Sequence, residues 1–86
     1  MKIFSGSSNK KLAEKIAQQL SIPLSPLEIH VFPDREKRVR VLEKVVDQHV
    51  AVVQSTGGAG LTDEYYMELF FIIDALKRSG ASEVTV

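Results

Sequence analysis

The sequence has no cysteine and no tryptophan, and eleven Lys and Arg balance eleven Asp and Glu across 86 residues. Without cysteine there is neither a disulfide framework nor a thiolate metal site, and a cytoplasmic protein is expected. Without net charge there is no bulk field to hold a nucleic-acid backbone or an anionic membrane, so neither is expected as a partner. Long apolar runs are missing too. The longest, MELFF followed by II, is interrupted by Glu68 and bounded by Asp74. It falls well short of the ~20 residues a membrane-spanning helix needs. The opening MKIFSGSSNKK lacks the apolar stretch of a signal peptide.

Familiar site motifs are absent as well. SGSSNK offers one glycine before a helix, so it is neither a P-loop nor a dinucleotide fingerprint. An anion could rest at that helix N-terminus, but capping by Ser7 or Ser8 is the plainer use of the serines. GGAG is not followed by Lys and Ser or Thr, and is read as loop. His30 and His49 have no second His or Cys at ligand spacing and are expected at the surface. Two isolated histidines also give no Ser/His/Asp arrangement. A phosphate-accepting receiver domain needs an aspartate after the third parallel strand, where this chain has Gln54, Ser55 and Thr56.

What remains is one small α/β domain. A chain of this length buries only roughly 60% of the surface its unfolded form exposes. KIFS reads as a strand, and a helix follows over 9–20 with Leu12, Ile16 and Leu20 as its apolar stripe and Ala13 and Ala17 beside them. IPLSP ends that helix. Strands 27–32 and 38–43 alternate apolar and polar residues around PDRE, which predicts an antiparallel hairpin. HVAVVQS is nearly all apolar, as in a strand buried on both faces. A second helix is predicted over 63–79, capped by Thr62 or Asp63 and ended by Gly80. Asp63 and Glu64 suit its dipole. SEVTV begins a last strand, and the sheet is mostly parallel.

The second helix has two apolar faces. Leu69, Ile72, Ile73 and Leu76 cluster with Tyr65 and Tyr66, while Met67, Phe70 and Phe71 form another. Either these three pack beneath the hairpin, or a second chain or a missing domain covers them.

The hairpin tip offers the most chemistry. Phe32, Asp34 and Glu36 stand at every second position, before a run of cations. A phenyl face stacks on a base for about 1–3 kcal/mol, and carboxylates accept the hydrogens of an exocyclic amine. From spacing alone the plainer account is favoured: Phe32 packs on the core and Asp34 makes the turn.

Four segments in order, FSGSSNKKLAEKIAQQL, FPDRE with VRV, VVQST and MELFFIIDALKRSGASEVTV, closely resemble the N-terminal domain of the ribose-phosphate pyrophosphokinase (PRPP synthetase) family. The resemblance covers essentially the whole chain, and the last segment is its most specific part. It implies the fold of the type I phosphoribosyltransferases. It also implies transfer of the diphosphoryl group of ATP to ribose 5-phosphate, with Mg²⁺, giving PRPP and AMP. By matching position, Phe32, Asp34 and Glu36 would contact the adenine of ATP in a site completed by a neighbouring subunit, so a homo-oligomer is expected.

Three local differences from the family pattern stand out. Pro33 and Arg35 replace a Ser and a Gly of the turn, and Arg does not adopt positive φ as glycine does. GGAGLTDEYY replaces a Cys/Pro/Asn-rich loop. Lys44 and Val46 stand where many members carry Ser and Arg for a regulatory phosphate, and Val46 cannot bind an anion. The family's later ATP, metal and ribose-phosphate segments are not in these residues. Residues 1–86 are therefore expected to be a partial N-terminal domain, truncated at its C-terminal end. No catalytic or metal-binding residue is assigned, and the chain alone should be inactive.

Overall fold

A computed structural model describes residues 1–31, 37–55 and 62–86, apart from the side chains of Val31, Lys37, Thr62 and Asp63. Its elements are β1 (Lys2–Ser5), α1 (Lys10–Leu20), β2 (Leu27–Val31), β3 (Lys37–Val41), β4 (His49–Val53), α2 (Thr62–Arg78) and β5 (Glu83–Thr85). This is the predicted order. The strands form two sheets rather than one: a parallel sheet in the order β1-β4-β5, and a separate antiparallel pair β2-β3.

Alternation along β1 divides the core. Phe4 is fully buried with Val45, Val50 and Val52 and with Leu69, Ile72 and Leu76 of α2. Leu27, Ile29, Val39 and Val41 of the hairpin close that layer from outside. Ile3, one residue earlier, points to the opposite face and is also buried. That is the face where α1 rests on β1. β4 lies between β1 and β5, but it is not buried on both faces as its apolar sequence predicts: Val50 and Val52 are buried on one face, whereas Ala51 and Val53 on the other are half-buried and His49 is exposed.

After α1 the chain returns on the free side of β1, where Leu24 bridges Ile3 and the Ser25 N–H donates to the Ile3 carbonyl at 2.8 Å. From β4 the chain moves the other way, through α2 to β5. The boundary between β1 and β4 is therefore the switch point of a doubly wound sheet, where crevices open beyond the carboxyl ends of the strands.

Two expectations for α1 need correction. Its cap is Asn9, whose Oδ1 accepts the Leu12 N–H at 3.1 Å, and neither Ser7 nor Ser8 plays that part. The stripe differs too: Ala13 and Ala17 are buried, whereas Leu12 and Leu20 are 41% and 52% exposed. The helix meets the sheet through its smallest side chains, and the larger ones lie at the rim. Its end is a left-handed Ser21 with φ 55°. α2 closes with Gly80 at φ 97°, and the Ala81 N–H returns to the Leu76 carbonyl at 3.1 Å. This is the glycine-ended arrangement its sequence predicts. The capping role of Thr62 or Asp63 falls outside the described side chains.

One ion pair ties three segments together. Lys2 Nζ donates to Glu43 Oε2 at 2.6 Å, and the Ser25 hydroxyl donates to the same oxygen at 3.2 Å. The hydrogen bond from Lys2 and then its charge hold the Glu43 carboxyl below its ordinary value, against some opposing desolvation. A depressed folded-state pKa gives stability that is complete above the unfolded carboxylate pKa. It is lost as pH falls through the folded value. Melting curves from neutral pH to pH 3 should therefore show an acid-side loss that Lys2→Met reduces. The pair is partly exposed, so the effect should also shrink with added salt.

Candidate functional site

β1 and β4 run parallel in register, Phe4 beside Val52 and Ser5 beside Val53, so their carboxyl ends deliver residues 6–9 and 54–55 to one place. The Gly6 N–H still bonds the Val53 carbonyl at 3.0 Å, and beyond it side chains take over. The Ser8 N–H and hydroxyl both donate to Gln54 Oε1, at 3.2 and 2.6 Å. Gln54 Nε2 donates to Glu68 Oε2 at 2.6 Å and to the Tyr65 carbonyl at 3.3 Å. Glu68 also accepts the Ser7 N–H at 2.8 Å on Oε2 and the Ser7 hydroxyl at 2.7 Å on Oε1. Asn9 Nδ2 donates to the Ser55 hydroxyl at 3.3 Å.

The serines that sequence reasoning offered as caps are thus taken by partners some fifty residues away. Space reinforces the arrangement: a Cβ on Gly6 would fall 2.0 Å from Gln54 Oε1. Glu68 is only 1% exposed and was missed as a site residue. The available signal was helical phase, since Glu68 lies four and eight residues before the buried Ile72 and Leu76.

A cavity of about 450 Å³ opens beside this turn, between Ser5, Ser7 and Lys10 on one side and Leu24, Pro26 and Leu27 on the other. It combines hydroxyls and one ammonium with an apolar wall. Among the described residues no group of three or more His, Cys, Asp or Glu side chains could hold a metal ion, so no Mg²⁺ ligand set is assigned. Also among them, no helix is long and apolar enough to cross a membrane. His30 and His49 lie at the surface, His30 against Glu28 at 3.0 Å and His49 against Thr85 at 2.8 Å.

Phe32, Asp34 and Glu36 lie outside the described residues, as does the turn PDRE. Their mounting is described. β2 and β3 pair from Leu27 opposite Val41 to Val31 opposite Lys37, so residues 32–36 connect the last rung of an antiparallel ladder. Leu27, Ile29, Val39 and Val41 face the core, while Arg38 and Arg40 are exposed, as the alternation predicts.

Met67 and Phe70 are 50% and 58% exposed, and Phe71 is 36% exposed beside Val39. Packing beneath the hairpin is therefore excluded for Met67 and Phe70. Tyr66, expected with the inner cluster, is 46% exposed, because its helical phase lies closer to the exposed Phe70 than to the buried Ile72.

Residues 1–86 match the family model described as the N-terminal domain of ribose phosphate pyrophosphokinase. Curated relatives include a ribose-phosphate pyrophosphokinase of Brucella melitensis, 42% identical over 85 residues, covering 99% of this chain and 27% of the relative. Another is ribose-phosphate pyrophosphokinase 1 of Streptococcus agalactiae, 38% identical, covering 100% of this chain and 26% of the relative. Among solved structures, the phosphoribosylpyrophosphate synthetase of Mycobacterium smegmatis superposes with a TM-score of 0.80 at 27% identity, over 96% of this chain and 27% of that one. The chain spans about a quarter of the length of these relatives. On a family match that runs from its first residue to its last, with a fold in agreement, the chain belongs to the ribose phosphate pyrophosphokinase family as its N-terminal domain.

Proposed function

We propose that this chain is the adenine-contacting part of an enzyme that transfers diphosphate from ATP to ribose 5-phosphate, giving PRPP and AMP. The observation that carries the proposal is the family match over residues 1–86, with Phe32, Asp34 and Glu36 on the connection between β2 and β3. Phe32 stacks on the purine, and the two carboxylates accept its amino hydrogens. The same acceptors disfavour a base that presents a carbonyl there. The phosphate-neutralising cations, the Mg²⁺ ligands and the ribose-phosphate loop belong to other segments, so residues 1–86 alone bind ATP weakly and do not turn it over. The enzyme works in the cytoplasm as a homo-oligomer, with each hairpin serving a neighbouring subunit's site.

A second reading is a non-catalytic assembly module of the same family, favoured by the exposed Met67 and Phe70 on α2. One experiment separates the two. AMP and ATP at millimolar concentration are titrated into the labelled chain and followed by nuclear magnetic resonance, with light scattering on the same samples. The enzyme reading expects shifts confined to residues 30–37, lost in Phe32→Ala, and no PRPP formation with ribose 5-phosphate and Mg²⁺. Self-association without a nucleotide response favours the module. Submicromolar ATP binding, or turnover, contradicts the partial-site proposal outright.

A further inference from the structure

We infer that Glu68 is a built-in anion: its carboxylate occupies the turn after β1, so the Ser7 and Ser8 amides are closed to the phosphate groups that doubly wound proteins commonly hold there. The switch point between β1 and β4 is where such folds place ligands, and backbone N–H groups at the start of the following helix suit an anion. In this chain the position is taken from within. Both carboxylate oxygens are engaged, Oε2 by the Ser7 N–H at 2.8 Å and Gln54 Nε2 at 2.6 Å, and Oε1 by the Ser7 hydroxyl at 2.7 Å. These three donors are neutral groups converging on one anion. The next donor of the turn, the Ser8 N–H, is held by Gln54 Oε1, and the space above Gly6 is filled by the same amide.

Glu68 is thus a positioning residue. It sets the conformation of residues 6–9 through Ser7 and fixes which way the Gln54 amide points, because Nε2 must face the carboxylate. The functional consequence is an exclusion. A nucleotide or sugar phosphate is bound by other groups, and the loop that looks most like a phosphate site in the sequence is structural.

Chemical rescue tests this without any nucleotide, so its outcome is independent of the adenine proposal. The whole chain is compared as wild type, Glu68→Ala and Glu68→Gln in sodium formate against sodium chloride at pH 7 and matched ionic strength. In Glu68→Ala the Ser7 amide resonance should shift saturably with formate, and the melting temperature should rise by several degrees over chloride. Wild type and Glu68→Gln, whose cradles are filled, should give neither response. Equal responses to formate and chloride in Glu68→Ala would overturn the inference. Should that variant not fold, wild type still decides: a Ser7 amide that shifts saturably with inorganic phosphate refutes the closed turn, and an unresponsive one supports it.

Discussion

Phe4→Ala should bring this domain close to unfolding under ordinary conditions. Phe4 is fully buried, between the β4 side chains Val50 and Val52 and the α2 side chains Leu69, Ile72 and Leu76, with Val45 closing one side. Deleting a buried ring removes its transfer energy and leaves a cavity, together costing about 3–5 kcal/mol. Small domains have about 5–15 kcal/mol in total, and this one is short. At about 4–8 °C per kcal/mol for its size, the melting temperature should fall by more than ~12 °C. Phe70→Ala is the control. It removes the same ring from a 58% exposed position and should change stability by less than ~0.5 kcal/mol in a monomer. Urea titration of both variants is sufficient, and a Phe4→Ala loss below ~1 kcal/mol would mean the two-layer core is wrongly assigned.

Gly6→Ala should cost about 2–3 kcal/mol, more than a one-methyl change at a surface turn normally does. The cause is steric, since the added Cβ would lie 2.0, 2.3 and 2.8 Å from Oε1, Cδ and Nε2 of Gln54. Gln54 is a flexible side chain and can leave. Leaving breaks its bonds with Ser8, Glu68 and Tyr65. Each is worth about 1 kcal/mol net, reduced where water can reach Ser8. Because both lesions remove the same network, Gly6→Ala and Gln54→Ala together should cost clearly less than the sum of the two singles. Strict additivity in denaturant midpoints would show that the contact does not matter to the turn.

The order of elements was legible because each has its own local signal. Period-two alternation marks strands at 27–32 and 38–43, close to the observed Leu27–Val31 and Lys37–Val41, the apolar run marks β4, and Gly80 marks the end of α2. The cap and stripe of α1 were not, because both were decided by tertiary partners. Ser7 and Ser8 are good caps in isolation, but Glu68 and Gln54 compete for them, and Asn9 takes the role. The buried face of α1 is centred on Ala13 and Ala17, with Ile16 half-buried beside them and Leu12 and Leu20 largely exposed. Glu68 was read as an interruption of an apolar run, although its phase with Ile72 and Leu76 already placed it inside. The adenine role proposed for Phe32, Asp34 and Glu36 rests on the family motif. Spacing alone favoured a plain turn, and residues 32–36 lie outside the described structure.

Among the described residues the hairpin shares no ladder with the parallel sheet. What joins them is a seam of side chains, chiefly Leu27, Ile29, Val39 and Val41 against the α2 layer. The position of β2 and β3 over α2 is therefore set by how those four side chains pack.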